Sequence, residues 1–287
     1  MRTFLLRHAR NTVYSNVWIA FGAALWVHAA GIEIGAKQSV AAWLTFFATV
    51  FVYNFQRVVK LSRRTKRAIP GRNAWLYDNR FWIWVWVIVG AIGSGFTALF
   101  LPPAGWRTLA VPALISLLYV VHFIPSKNGL RTLRELPGAK ILLIAACWAV
   151  VGSFLPLVFD RNPDARVWWM WGEKCAFILA ITIPFDIRDL KYDDAHMRTL
   201  PQLLGTGGAK TLALVLVVIS AGLTLGALLS GWYAPPYAVA TWVALVPSAW
   251  LIVGTHEERP ELYFTAGLDG TIALMGGLQL LALFLFG

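Results

Sequence analysis

The sequence has few charged residues and almost no cysteine. Charged residues make up 14% of the 287 positions, against roughly 25% in soluble domains. The two cysteines, Cys147 and Cys175, lie in apolar segments without metal-ligand spacing, which favours core packing over a disulfide framework. The first apolar stretch is too long for a signal peptide and has no clear small-residue cleavage site, so we expect no cleaved leader.

Long apolar runs are the dominant feature of the chain. Hydrophobic residues make up 58% of it, and runs of about 18 or more recur from end to end, the length that a bilayer-spanning helix needs. We therefore predict an all-α polytopic membrane protein in which residues 1–287 form one helical domain. About nine spans are expected, at roughly 14–34, 40–60, 81–101, 107–125, 139–159, 168–186, 210–230, 236–255 and 264–286.

Positive charge is concentrated in alternate connections between these spans. The net charge is +11, and the positive-inside rule then places the N-terminus and the even-numbered connections in the cytoplasm and the C-terminus outside. We expect an integral protein of a plasma membrane, such as the bacterial inner membrane, in contact with anionic lipid headgroups. Because topology accounts for the charge, no nucleic-acid partner is expected.

Three aspartates follow the sixth predicted span. Asp186, Asp189 and Asp193 are three and then four residues apart, which would put their carboxylates on one face of a helix. Such groups repel one another unless a positive charge lies among them, and acidic clusters at membrane depth are rare without a function. Basic residues are interleaved with the aspartates and follow them: Arg188, Lys191 and Arg198.

The second predicted span ends on the same membrane surface as the sixth, because both run from outside to inside. It carries Asn54 and Arg57 about one turn inside its apolar run. We expect these two polar residues to converge with the aspartates on one cavity. The alternative is that they mark only the point where the helix leaves the bilayer.

Two motifs, together with the stretch from Lys140 to Trp148, resemble those of the UbiA-type intramembrane prenyltransferase superfamily. One runs from Asp186 through Arg198-Thr199-Leu200-Pro201, and the other from Tyr119 to Lys127. The resemblance implies helices around a central cavity, with transfer of a prenyl group from an isoprenoid diphosphate to an acceptor. It also implies that Asp186, Asp189 and Asp193 are catalytic and hold Mg²⁺. The implied substrate-binding residues are Asn54, Arg57, Tyr119, Lys127, Arg188, Lys191 and Arg198.

The first aspartate-rich motif of the superfamily is lost here. Its pattern, Asn-Asp-x-x-Asp-x-x-x-Asp, corresponds to a stretch from Asn54 to Ser62 in which only the asparagine survives, and no acidic residue occurs between Glu33 and Asp78. Two interpretations stay open. Arg57 either replaces a metal ion, so that one Mg²⁺ or none is used, or pairs with Asp186 or Asp189, so that metal binds weakly.

Other functions also remain open at this point. The loss of the first motif favours a non-catalytic relative that binds an isoprenoid or quinone lipid or acts as a scaffold. A terpene cyclase would use the same cavity, and a transporter would use the aspartates as an ion site, although no inverted repeat is visible. Away from the aspartates, adjacent Glu173 and Lys174 predict an ion pair. Asp269, inside the last span, is either a buried polar residue held by a neighbouring helix or part of the cavity.

Overall fold

Helices form almost all of the described chain. The computed structural model describes residues 10–36, 39–61, 72–126, 129–136, 138–159, 164–191, 193 and 195–287. The helices are α1 (Val17–Glu33), α2 (Val40–Leu61), α3 (Arg72–Asp78), α4 (Arg80–Ala98), α5 (Pro103–Leu118), α6 (Ala139–Leu157), α7 (Ala165–Asp189), α8 (Leu200–Leu229), α9 (Pro235–Val253) and α10 (Gly270–Phe286). A two-stranded antiparallel hairpin, β1 (Ile124–Ser126) and β2 (Gly129–Arg131), follows α5.

The helices agree with an all-α polytopic membrane protein. Within the described ranges, nine helices have 16 or more residues. Five segments are long and apolar enough on their own to cross a bilayer: α4, α6, α8, α9 and Tyr263–Phe286, which contains α10. The number of membrane crossings, predicted as nine, stays a prediction.

Two predicted boundaries are wrong for identifiable reasons. The fourth span was expected to reach residue 125, but α5 ends at Leu118 and the chain enters the hairpin that β1 begins. The seventh was expected to start at residue 210, but α8 starts at Leu200, because Pro201 lies in its first turn, where a missing N–H costs nothing. Gly205 kinks this early part of α8 with a left-handed φ of 70°, a conformation that glycine adopts without strain.

The long helices pack in a ring in which α2 contacts both α4 and α5. Helix α1 contacts α2, α2 contacts α4, α5 contacts α6, and each helix from α6 to α10 contacts the next. Contact between α10 and α1 closes the ring, and α1 also touches α6 across it. Helix α7 carries the largest share of the main core cluster, including Phe177, Ile181 and Ile187. The C-terminal end of this well-packed helix carries the aspartates.

Close packing of α1 against α10 gives a stability prediction. A Cβ added at Gly276 would clash with the backbone nitrogen of Trp26, whereas a Cβ at Gly277 meets nothing within 4 Å. Small residues let membrane helices approach each other in this way. We expect Gly276→Ala to lower stability by about 1–3 kcal/mol by forcing the helices apart, and Gly277→Ala to be neutral. Thermal unfolding in detergent compares the two, and equal midpoints would contradict the helix contact.

Candidate functional site

The three aspartates meet at the C-terminal end of α7. Asp186 and Asp189 lie in the last turn of α7, and Asp193 lies beyond its end. The backbone N–H of Asp193 donates to the carbonyl oxygen of Asp189 at 2.9 Å, so the chain continues for one more turn. The expectation that one helix carries all three is therefore wrong, but the turn keeps the third carboxylate beside the other two. We call Asp186, Asp189 and Asp193 the acidic triad.

The ammonium group of Lys140 lies among the three carboxylates. Its Nζ is 2.7 Å from Asp186 Oδ1, 3.2 Å from Asp193 Oδ2 and 3.4 Å from Asp189 Oδ2. The lysine is the second residue of α6 and its side chain is 10% exposed. Contact between α6 and α7 brings it there. A single buried cation thus contacts every member of the acidic triad.

Two arginines complete the charge balance. Arg134 Nη2 lies 3.8 Å from Asp189 Oδ2 and 3.9 Å from Asp193 Oδ1. Arg188 Nε donates to Asp189 Oδ1 at 2.8 Å, and its Nη1 lies 3.4 Å from both carboxylate oxygens of Glu261. The triad and Glu261 therefore supply four carboxylates around three cations, which reduces the mutual repulsion that the bare triad would have.

The loop after the triad is held by the start of α8. Thr199 is the N-cap of α8, and its backbone N–H donates to Gln202 Oε1 at 2.9 Å. The same side chain donates from Nε2 to the carbonyl oxygen of Asp193 at 3.3 Å. At the other side of the loop, Gly138 N–H donates to the carbonyl oxygen of Met197 at 3.2 Å. The Thr-Leu-Pro-Gln sequence thus acts as a helix start that positions Asp193.

A small pocket borders the triad. Its lining includes Lys140 and Asp186, with Gly138 from the start of α6 and Thr199 and Leu200 from the start of α8. Helix N-termini carry a partial positive charge, which favours anions. Two such ends and one ammonium group therefore line a space next to the acidic triad.

Three other predicted site residues, Tyr119, Lys191 and Arg198, lie within the described part of the chain. Tyr119, directly after α5, is nearly buried and lies within electrostatic reach of Arg134 and all three triad carboxylates. Lys191 and Arg198 are exposed near the triad, and Arg198 has a left-handed φ of 45°. Lys127 lies outside the described residues.

Asn54 has a structural set of partners. Its Nδ2 donates to the carbonyl oxygens of Ser15 and Val50, and its Oδ1 accepts from Asn16 Nδ2 at 3.0 Å. The side chain is fully buried. These bonds tie the start of α1 to α2 and occupy the amide, so a substrate-binding role for Asn54 would require them to break.

The end of α2 approaches the same region as the end of α7. Tyr53 lies one turn before Arg57, touches Trp148 of α6 edge-on at 6.4 Å between ring centres, and is within electrostatic reach of Arg57 and Asp269. Asp269 is also within reach of Arg188 on α7. The convergence of the two helix ends on one cavity stays a prediction. The place among the carboxylates that was assigned to Arg57 is held by Lys140, and direct pairing of Arg57 with the triad stays a prediction.

Comparison with known proteins identifies the fold. No protein-family model and no curated protein sequence matches the chain. A UbiA homologue from Archaeoglobus fulgidus bound to GPP and Mg²⁺ superimposes with a TM-score of 0.64 at 11% identity, over 96% of this chain and 100% of that one. The chain has the UbiA fold. A UbiA homologue from Aeropyrum pernix K1 without ligand gives 0.60 at 16% identity, over 96% and 98% of the two chains.

A third solved structure extends the UbiA comparison. A structure of digeranylgeranylglyceryl phosphate synthase gives a TM-score of 0.54 at 15% identity, over 95% of this chain and 96% of that one. With five segments able to span a bilayer and a UbiA fold along nearly its full length, the chain is an integral membrane protein. At these identities the likeness concerns the fold alone.

The acidic triad of this UbiA fold does not fit a divalent metal ion as it is arranged. Mg²⁺ requires oxygen ligands at about 2.0–2.1 Å, whereas the triad oxygens are spaced around an ammonium group at 2.7–3.4 Å. Among the described residues, no three His, Cys, Asp or Glu side chains are arranged to hold a metal ion. The position that a cation would take is occupied by part of the protein itself.

Lys140 belongs to a stretch that resembles the superfamily, but it was not predicted as a site residue, although a signal was present. The lysine stands in the first turn of an otherwise apolar helix with no acidic residue beside it, and a positive charge is unfavourable at a helix N-terminus. A lysine at such a position indicates a carboxylate partner from elsewhere in the chain. Arg134, Gln202 and Glu261 gave no comparable signal, because each lies in a polar segment where such residues are ordinary.

Proposed function

We propose that the protein is a membrane prenyltransferase-like enzyme that binds an isoprenoid diphosphate beside the acidic triad. The observation that carries this proposal is the pocket at which Lys140 and the N-termini of α6 and α8 meet, in a chain with the UbiA fold. A diphosphate carries several negative charges and leaves only when they are neutralised. Both the ammonium group and the helix ends favour such a group.

The remaining predicted residues take roles around this pocket. Arg198 and Lys191, exposed near the triad, would receive the diphosphate from solvent, and Arg57 and Lys127 would add positive charge. Tyr119 would border the bound group, and the apolar faces of the helices would hold the isoprenoid tail. In this proposal the triad holds its cations in place, and any Mg²⁺ that it takes is weakly bound. The N-terminus and the triad lie on the cytoplasmic side and the C-terminus lies outside.

Direct binding and turnover test the proposal. Purified protein in lipid nanodiscs would be incubated with labelled isoprenoid diphosphates of increasing chain length, with Mg²⁺ and with EDTA. We expect retention of at least one diphosphate, and release of inorganic diphosphate when an acceptor is supplied. No retention and no release under either condition would contradict the proposal.

The variant Arg134→Ala tests whether the diphosphate binds beside the triad or through the general positive charge of the cytoplasmic surface. Its guanidinium group lies near Asp189 and Asp193, so Arg134→Ala removes a positive charge close to the pocket. We expect diphosphate affinity to fall about tenfold, which corresponds to about 1.4 kcal/mol. Arg131→Ala, three residues earlier, is the matched control and should bind as the wild type does. Equal losses in both variants would indicate a general charge effect.

A second candidate is a non-catalytic relative that binds an intact isoprenoid or quinone lipid. The specific observation in its favour is that the first aspartate-rich motif is lost while the triad is already charge-balanced within the protein. Such a protein would copurify with a lipid whose occupancy does not change in Asp189→Ala. A terpene cyclase would share the diphosphate site and would be recognised by a cyclic product formed without an acceptor.

A further inference from the structure

The structure of one solved neighbour with the same fold contains both GPP and Mg²⁺. Here one buried ammonium group contacts all three carboxylates of the triad, at 2.7, 3.2 and 3.4 Å. We propose that Lys140 is the resident cation of the triad and prevents it from binding a divalent ion.

Electrostatics and geometry support the same conclusion. A divalent ion entering the triad would meet the positive charges of Lys140, Arg134 and Arg188 at close range, where like charges repel strongly in a partly buried site. The ammonium group cannot move far, because it is attached to the first turn of α6 and its side chain is 10% exposed. The ion would also need carboxylate oxygens closer to their common centre than the ammonium group sets them.

The cation in the triad is a side chain of the protein, and this affects how a diphosphate can bind. A metal ion brings positive charge that is free to bridge to phosphate oxygens, whereas Lys140 can bridge only because it lines the pocket. We infer that the diphosphate binds without metal, through Lys140 and the helix N-termini. This consequence rests on the proposed function, whereas the exclusion of metal from the triad does not.

Metal binding measured without any substrate tests the central claim. Mn²⁺ binding, followed by electron paramagnetic resonance with Mg²⁺ competition, would be compared in the wild type, Lys140→Met and Lys140→Met/Asp189→Asn. Lys210→Met is the matched control, since this partly exposed lysine donates to the carbonyl oxygen of Val253 rather than to the triad. We expect no saturable triad binding in the wild type or in Lys210→Met.

Removing Lys140 should create a metal site. In Lys140→Met we expect Mn²⁺ to bind about tenfold or more tightly than in the wild type, because three carboxylates lose their shared cation. Asp189→Asn in the same background should abolish this binding. Mn²⁺ should also raise the unfolding temperature of Lys140→Met and leave that of the wild type unchanged. Retention of isoprenoid diphosphate by Lys140→Met should then require Mg²⁺, whereas the wild type retains it in EDTA.

Two outcomes would overturn the proposal, and the first does not require Lys140→Met to fold. If the wild type binds Mn²⁺ tightly and the single variant Asp189→Asn abolishes that binding, the triad is a metal site despite Lys140. If Lys140→Met folds and binds Mn²⁺ no better than the wild type, Lys140 is not what excludes the ion. Failure of diphosphate to bind any variant would overturn the proposed function while leaving the metal result intact.

Discussion

Replacing Lys174 with methionine is expected to lower the free energy of unfolding by about 3–5 kcal/mol, the usual cost of breaking a buried ion pair from one side. Glu173 and Lys174 are both fully buried in the half of α7 away from the triad, with Lys174 Nζ 3.9 Å from Glu173 Oε2. The predicted ion pair is confirmed. Its members are adjacent on the helix, so their side chains diverge and each has partners on a different neighbour.

The partners explain why the loss is large. Lys174 Nζ lies 4.3 Å from the ring centre of Trp26 and donates to the Tyr237 hydroxyl at 3.4 Å. Glu173 accepts from the hydroxyls of Ser220 and Tyr233 at 3.4 and 3.2 Å. Methionine would fill the space of the apolar part of the lysine side chain but leave the buried carboxylate of Glu173 without its nearest cation.

A double variant distinguishes the charge effect from a packing effect. Glu173→Gln combined with Lys174→Met removes both charges and should recover most of the stability, because no uncompensated charge remains. Thermal unfolding in detergent, followed by fluorescence-detected gel filtration, should show a midpoint roughly 10 °C lower for the single variant. Lys210→Met, at a partly exposed position, should change the midpoint little. If the double variant is as unstable as Lys174→Met, the loss arises from packing.

Arg188→Lys is expected to cost about 2–3 kcal/mol although it conserves the charge. The guanidinium group contacts Asp189 and Glu261 together, and its Cζ lies 5.0 and 5.3 Å from the ring centres of Phe185 and Phe264. An ammonium group cannot donate to both carboxylates while stacking between two rings. Arg188 therefore connects the triad to the segment before α10.

The same unfolding measurement tests this prediction, with a second arginine as control. Arg198→Lys changes an exposed arginine close to the triad and should stay within about 0.5 kcal/mol of the wild type. Under the proposed function, Arg188→Lys should also weaken diphosphate retention, because Asp189 loses its shortest hydrogen bond. Equal midpoints for Arg188→Lys and the wild type would show that the planar geometry of the guanidinium group is not needed.

Much of the architecture could be predicted from the sequence, because it depends on local chemistry. An apolar run of bilayer length forms a helix, because its backbone groups must pair within the same segment. The long helices lie where these runs do, apart from the end of α5 and the start of α8. Those two ends were missed because a turn into a hairpin and an N-capped extension depend on a few polar residues. The position of the triad at the end of α7 and the ion pair of Glu173 with Lys174 follow from neighbouring residues in the chain.

The partners of the triad could not be predicted in the same way. Lys140 is separated from Asp189 by 49 residues and meets it only because α6 packs on α7. Arg57 was an equally plausible cation by sequence, since both residues are basic and lie near helix ends on the same expected membrane surface. Which of two such charges enters a cluster is decided by helix packing at the scale of a few ångströms, and hydrophobic periodicity carries no information on that scale. The sequence by itself therefore determined the membrane helices and the acidic motif, whereas the tertiary structure decided which cation neutralises it.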